Sequence, residues 1–273
     1  MSDLIFEGPQ ETLTLTANAQ PALLTTSIAI LSRFEQFDIR ADYVAGHSLG
    51  EYTALVAAGV LSFEEAVSIV RKRGEFMEEA VPAGTGSMAA VLGADRQALA
   101  DLTDSITGEG SPVQLANINS PGQIVVSGTV AGVQKVVETG KSIGAKRVLP
   151  LEVSGPFHSS LMKPASSKLR HAFTEVHWQD ACIPIISNVT AQPIEEAEDI
   201  QDKLIKQLYS PVLWQDCVEK MIELGVDTFI EIGPGSVLSG LIKKINRQVR
   251  IFSVSNEEEL QVVVAALKGD HIE

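Results

Sequence analysis

Between residues 86 and 152 the apolar spacing switches period repeatedly: strand at 88–92, helix at 96–102, strand at 113–117, strand at 124–127, helix at 130–143 and strand at 147–151. A half-buried strand repeats every two residues and a packed helix every 3.6, so this succession reads as β-α-β-β-α-β, the split βαβ or ferredoxin-like unit. Asn119-Ser120-Pro121-Gly122 supplies turn chemistry for a hairpin between the middle strands. The flanking chain is richer in helix with isolated apolar strands. Residues 86–152 are therefore predicted to form a small subdomain inserted in a larger α/β body made of residues 1–85 and 153–273.

In the body, Leu23, Leu24, Ile28, Leu31 and Phe34 recur at three- and four-residue steps and predict a helix over 20–37, ahead of a short strand at 43–45. Helices follow at 51–58 and 63–79. The second is entered through Ser62 with Glu65 three residues on, a capping-box spacing, and is ended by Pro82, Gly84 and Gly86. Beyond the subdomain the pattern predicts helix 161–173, strand 184–188, helices 199–208 and 212–224, strand 228–231, helix 236–245 and a last amphipathic helix at 257–267. With 273 residues and 45% hydrophobic content, the chain can bury a sizeable core.

Thirty-five acidic against 21 basic residues give a net charge of -14, which repels phosphate backbones and disfavours nucleic-acid binding. No stretch reaches 18 uninterrupted apolar residues, and the first residues lack a basic region followed by an apolar one. Neither membrane insertion nor secretion is indicated, and the cytoplasm is the expected location. Cys182 and Cys217 are too few for a disulfide framework or a four-ligand zinc site and are expected to be buried packing residues.

Gly46-His47-Ser48-Leu49-Gly50 falls between the 43–45 strand and the next helix. A strand-turn-helix of this form puts Ser48 on a tight exposed corner, the flanking glycines relieving Cβ crowding, and makes it a candidate nucleophile. The Leu49 N–H at the helix start can donate to an oxyanion, aided by the helix dipole. The alternative is an ordinary turn in which the serine caps the helix.

A serine hydroxyl needs a base. Of five histidines, His47 adjoins Ser48 and should project away from it, as a structural or pocket-lining group. His171 and His177 lie on or beyond a polar-faced helix, and His271 sits in the tail. His158 remains, in the loop Val153-Ser154-Gly155-Pro156-Phe157-His158-Ser159-Ser160, where Gly-Pro breaks the chain and serines open a helix.

Taken together, Gly46-His47-Ser48-Leu49-Gly50-Glu51-Tyr52, Arg71-Lys72-Arg73-Gly74, Ala116-Asn117-Ile118-Asn119-Ser120-Pro121-Gly122-Gln123, Gly155-Pro156-Phe157-His158 and Glu231-Ile232-Gly233-Pro234-Gly235 resemble the malonyl-CoA:acyl carrier protein transacylases of bacterial fatty-acid synthesis. The resemblance runs in order over nearly the whole chain. It implies a parallel-sheet, hydrolase-like α/β body with an inserted ferredoxin-like subdomain, with malonyl-CoA and acyl carrier protein as partners and no metal or redox cofactor.

The resemblance also assigns roles. Ser48 would accept the acyl group and His158 would act as its base, without a third carboxylate. A main-chain group would orient the imidazole, with Gln207 near the site. Arg73, otherwise readable as a solvated helix cation, would grip the malonyl carboxylate; a guanidinium fork can do so bidentately. Gln20 matches a pocket residue, and Phe157 matches the bulky residue of malonyl-selective relatives. Lys243, Lys244, Arg247 and Arg250 form a candidate basic patch for the acidic carrier protein, set against the plainer reading of cations gathered at a helix carboxyl end.

The family opens with a buried strand and a Gly-Gln-Gly-Ser-Gln loop that gives a second oxyanion donor, and nothing like it precedes Ser48. A truncated chain or an upstream start is therefore expected, with an unpaired sheet edge and slower acylation. Two other classes stay open on the residues alone: a serine esterase or thioesterase, and a carrier-binding module without catalysis.

Overall fold

The computed structural model describes residues 1–82 and 84–269. His271 lies outside them. Two short helices, α1 (Ser2–Glu7) and α2 (Gln10–Leu13), lead into the long α3 (Thr16–Phe34). Then come α4 (Leu49–Ala57) and α5 (Phe63–Glu79), the latter with both halves of the capping box at Ser62 and Glu65 formed. Gly74 governs how α3 and α5 meet. A Cβ there would lie 2.6 Å from Ala17 Cα, so only glycine lets the two helices approach this closely.

The next run is β1 (Gly86–Leu92), α6 (Arg96–Gly108), β2 (Val113–Ser120), β3 (Gln123–Thr129), α7 (Val130–Thr139) and β4 (Arg147–Pro150). Its strands form one antiparallel sheet in the order β2-β3-β1-β4. That is the order a ferredoxin-like unit requires. One face buries Ala89, Val91 and Val126 under Leu99, Ile106, Val133 and Val136 of the two helices. The opposite face presents Met88, Ala116 and Val125, against which Phe157 packs. Register shifts between Leu115 and Asn117 and between Ile118 and Ser120 break the two-residue alternation of β2.

The rest of the chain returns to the body through α8 (Lys163–Phe173), β5 (Ile185–Ile186), β6 (Pro193–Ile194), α9 (Ala197–Gln207), α10 (Trp214–Glu223), β7 (Thr228–Ile232), α11 (Val237–Ile245), β8 (Arg250–Val254) and α12 (Glu257–Lys268). β7 and β8 pair in parallel. The main core joins Leu24, Tyr52, Leu55, Ile69, Leu169, Ile185 and Leu204 from α3, α4, α5, α8, β5 and α9, with Met162 from the turn before α8. Among the described residues no helix is long and apolar enough to cross a membrane.

Several expectations need correction. The 43–45 strand is reduced to one parallel bridge between Val44 and Ile185, and the 184–188 strand to two residues. Among the described residues no ladder joins this pair to β7 and β8, so short apolar runs here lack the hydrogen-bonded neighbours that would extend them. β8, β6 and the two opening helices were not anticipated. Cys217 is buried as expected, but Cys182 is exposed, its thiol donating to Ala58 O at 2.9 Å. Arg250 begins β8 and pairs with Asp227, and Lys244 donates to Gln123. Of the four cations in the candidate patch, Lys243 and Lys244 stand in the last turn of α11, as the plainer reading expects, while Arg250 belongs to β8.

Candidate active site

The elbow is built by steric necessity. A Cβ on Gly46 would fall 2.0 Å from the Gly50 carbonyl carbon, so the chain entering the turn and the helix leaving it pass too closely for any side chain. Gly50 itself faces open space, so only the first glycine is required by crowding. Ser48 takes φ 53 and ψ -104, a conformation that L residues avoid and that marks a site held by its surroundings. Those surroundings include Asn188, whose Oδ1 accepts the Ser48 N–H at 2.8 Å while its Nδ2 donates to Gly46 O at 2.7 Å. The Ser48 hydroxyl makes no cap bond to α4, which removes the plain capping reading.

That oxygen lies 2.8 Å from His158 Nε2. The imidazole is brought there by a tight turn in which Ser159 Oγ donates to Pro156 O at 2.7 Å and His158 itself has φ 57. Its Nδ1 sits 2.8 Å from Gln207 O. Gln207 ends α9, where the last carbonyls have no helical partner, so this oxygen is available and carries the negative end of the helix dipole. A carbonyl can only accept, which places the proton on Nδ1 and leaves Nε2 as a lone pair facing the serine. Burial, seconded by the Arg73 charge, pushes the His158 pKa down to about 3. The imidazole is a neutral base across the physiological range.

Arg73 is only 1% exposed. Its Nη1 donates to Gln20 Oε1 at 2.5 Å, and its Nη2 to Gln207 Oε1 at 2.9 Å and Ser48 Oγ at 3.0 Å. The close approach of α3 and α5 is what delivers Gln20 to it. The guanidinium also lies over the Tyr52 ring, with Cζ 5.3 Å from the centroid. Every acceptor is neutral, and the Arg73 Nε proton has no partner among the described residues. Burial pulls the Arg73 pKa down, as expected for a cation held away from water. Such a group offers strong attraction to any carboxylate that enters.

A cavity of about 280 Å³ covers this constellation, with Gln20, Ser48, Leu49, Arg73, Phe157 and His158 among its walls. The Leu49 N–H has no acceptor among the described residues and stands beside Ser48 at the start of α4. The structure thus brings Ser48, Leu49, Arg73, Gln20, Phe157, His158 and Gln207 to one place. His47 turns away from Ser48, its Nε2 2.9 Å from Asn119 Oδ1 and its ring 5.9 Å from that of Trp214. His171 and His177 lie elsewhere, the latter through its backbone N–H on Glu65. A separate open groove of about 320 Å³ lies beside α10, bordered by Asp216, Glu219 and Glu223.

Three contributors were not singled out from the sequence: Asn188, Glu51 and the pocket residue Met77. Asn188 had a usable signal, a polar residue closing the apolar run Ile185-Ile186. Glu51 had none, since a carboxylate in the first turn of a helix is ordinary.

Glu51 and His158 also shape the pH dependence of stability. Burial raises the Glu51 pKa from 4.5 to about 7, against the opposing Gln207 and Asn188 hydrogen bonds and the Arg73 charge. Between those values the folded chain holds a proton the unfolded chain has lost, so this contribution is full below 4.5 and fades as pH rises through 7. His158 has the opposite sign. Its contribution is full above 6.5 and is lost as pH falls towards 3. Over the shared window the two slopes oppose each other. Glu51→Gln is expected to remove one of them, so that its melting temperature rises more steeply than that of the wild type between about pH 4.5 and 6.5. Parallel melting curves across that range would contradict the assignment.

A strained serine on a strand-turn-helix corner, bonded to a neutral buried histidine, defines a serine acyl-group enzyme, and comparison with known proteins gives the same class: the acyl transferase domain family matches residues 1–272. The *Bacillus subtilis* malonyl CoA-acyl carrier protein transacylase is 59% identical over 271 residues, covering 99% of this chain and 86% of that protein. A *Vibrio cholerae* acyl carrier protein S-malonyltransferase crystal structure superposes with a TM-score of 0.93 at 43% identity, covering 96% of this chain and 85% of that one. A type II polyketide acyl-carrier protein complex with its malonyl-transacylase matches with a TM-score of 0.93 at 40% identity, over 98% and 86% of the two chains. The chain belongs to the malonyl-CoA:acyl carrier protein transacylase family.

Proposed function

We propose that the protein moves a malonyl group from coenzyme A to the phosphopantetheine thiol of an acyl carrier protein through a malonyl-Ser48 intermediate. The observation that carries this reading is the Ser48 oxygen, bonded at once to a neutral imidazole and to a buried guanidinium that has no carboxylate partner. The esterase and non-catalytic readings are not favoured.

In the first half-reaction His158 Nε2 takes the Ser48 proton as Oγ attacks the thioester carbonyl, and the Leu49 N–H receives the developing oxyanion. The carbon–sulfur bond then breaks and His158 returns the proton to the departing coenzyme A sulfur. In the second, His158 takes the carrier thiol proton, the thiolate attacks the Ser48 ester, and Oγ leaves with that proton. Gln207 O and the carboxyl end of α9 favour the imidazolium that forms in between. Arg73 exchanges its contact with Ser48 Oγ for the malonyl carboxylate, holding the acyl group in place.

The four-stranded unit at 86–152 is proposed as a separate subdomain that walls the cavity, a role supported by Met88 of β1 and Asn117 of β2 lining it. Free thiols at Cys182 and Cys217 fit a cytoplasmic setting.

His158→Ala is expected to slow single-turnover acylation by malonyl-CoA by roughly 10²- to 10⁴-fold, the usual worth of a positioned base. Stopped-flow or quenched-flow mass measurement checks it. A near-normal rate would assign the proton transfer to another group and refute the mechanism above.

A further inference from the structure

Glu51 takes no part in the steps just described, yet its carboxyl is 1% exposed and lies inside the site. Its Oε2 accepts the Gln207 side-chain N–H at 2.6 Å, and the Asn188 backbone N–H approaches both of its oxygens at 3.3 and 3.4 Å. The other end of the Gln207 amide accepts from Arg73 Nη2 at 2.9 Å. The same Nε2 donates to Ser48 O at 3.0 Å. One amide therefore connects the buried acid, the elbow backbone and the buried cation.

From this juxtaposition we propose that Glu51 is a positioning residue for malonyl selection, acting through the Gln207 amide to hold Arg73 at Ser48; the inference rests on the functional reading above. An amide has a donor end and an acceptor end. With Glu51 as acceptor on one side, the Gln207 oxygen must face the guanidinium. A flipped amide would set N–H against N–H at Arg73 and oxygen against oxygen at Glu51. Ser48 O and Asn188 Oδ1 accept from the same Nε2 at 3.0 and 3.4 Å, and Glu51 at 2.6 Å is the shortest of the three contacts that set that choice.

The spacing matters as much as the orientation. A carboxylate in direct contact with Arg73 would occupy the fork that the substrate needs. Placed one amide away, Glu51 leaves the guanidinium bonded only to neutral oxygens that a substrate carboxylate can replace. Gln207 thus serves two partners independently: its backbone oxygen anchors His158 and its side chain sets Arg73.

The test compares Glu51→Gln, Glu51→Met, Gln207→Met and the double Met variant with the wild type. The readout is the ratio of single-turnover acylation rates with malonyl-CoA and acetyl-CoA. Glu51→Gln keeps an acceptor and should hold the ratio within about threefold of wild type. Glu51→Met keeps the length without the acceptor and should lower it about tenfold or more. Gln207→Met, which retains the backbone oxygen on His158, should lower it similarly. In the Gln207→Met background, Glu51→Met should add nothing, because residues acting through one contact are not additive.

A folded Glu51→Met protein with an unchanged ratio, or one whose loss is equally large in both backgrounds, would overturn the proposal. If Glu51→Met does not fold, Gln207→Met decides alone, an unchanged ratio overturning it and a lowered one supporting it. A wild-type protein that takes up no malonyl group overturns the functional reading itself, and so is distinguishable from failure of the Glu51 proposal.

Discussion

Ser48→Ala is expected to abolish the malonyl-enzyme. Intact-mass measurement after mixing with malonyl-CoA should show one added malonyl group on the wild type and none on the variant. The expectation follows from geometry, since the Ser48 hydroxyl has a neutral base at 2.8 Å and, among the described residues, an unpartnered Leu49 N–H next to it. Removing the nucleophile of a serine hydrolase costs about 10⁶-fold in turnover, with the residual rate coming from binding and oxyanion donors. Here the loss of the covalent intermediate makes the result all-or-none. Labelling that persists in the alanine variant would mean that the acyl group rests elsewhere.

Arg73→Ala is expected to cut acylation by malonyl-CoA about 10²- to 10³-fold, as truncating one partner of a buried charge pair typically does. The acetyl reaction should suffer far less, and the preference for malonyl-CoA should collapse. An acetyl group leaves the buried guanidinium with only Gln20, Gln207 and Ser48 as partners, whereas malonate gives it a charged one. Deleting the cation removes both the attraction for one substrate and the discrimination against the other. Competition between the two thioesters in one tube measures this directly. An unchanged product ratio would place carboxylate recognition on another residue.

Much of this site was legible because its parts carry local signatures. Ser62 and Glu65 announced the start of α5 and hence the helix that bears Arg73. The Gly46–Ser48 spacing announced the elbow, and His158 emerged because the other histidines had poor locations. The βαββαβ run read correctly because short apolar strands alternate in it with helices of 3.6-residue period, bounded by turn residues such as Pro121 and Gly122. What stayed hidden depends on contacts between residues far apart in the chain. Glu51 and Gln207 are separated by 156 positions and meet at 2.6 Å, and neither spacing nor composition encodes that meeting. The same applies to β8, a five-residue strand that takes its order from pairing with β7, and whose leading Arg250 resembled the end of a basic helix. Val44 shows the reverse case, an apolar run with strand propensity that gains only one bridge because a strand is defined by its neighbours.

The central claim is double displacement, in which the acyl group passes through Ser48 and leaves to a thiol rather than to water. The most direct measurement is a chase: malonyl-enzyme formed with malonyl-CoA, freed of excess thioester, is mixed with phosphopantetheinylated acyl carrier protein, and the masses of both proteins are followed in time. Loss of malonyl from the enzyme matched by its gain on the carrier, much faster than loss in buffer alone, is the predicted result. Release of malonate at the same rate with and without the carrier, the carrier remaining unlabelled, would contradict it.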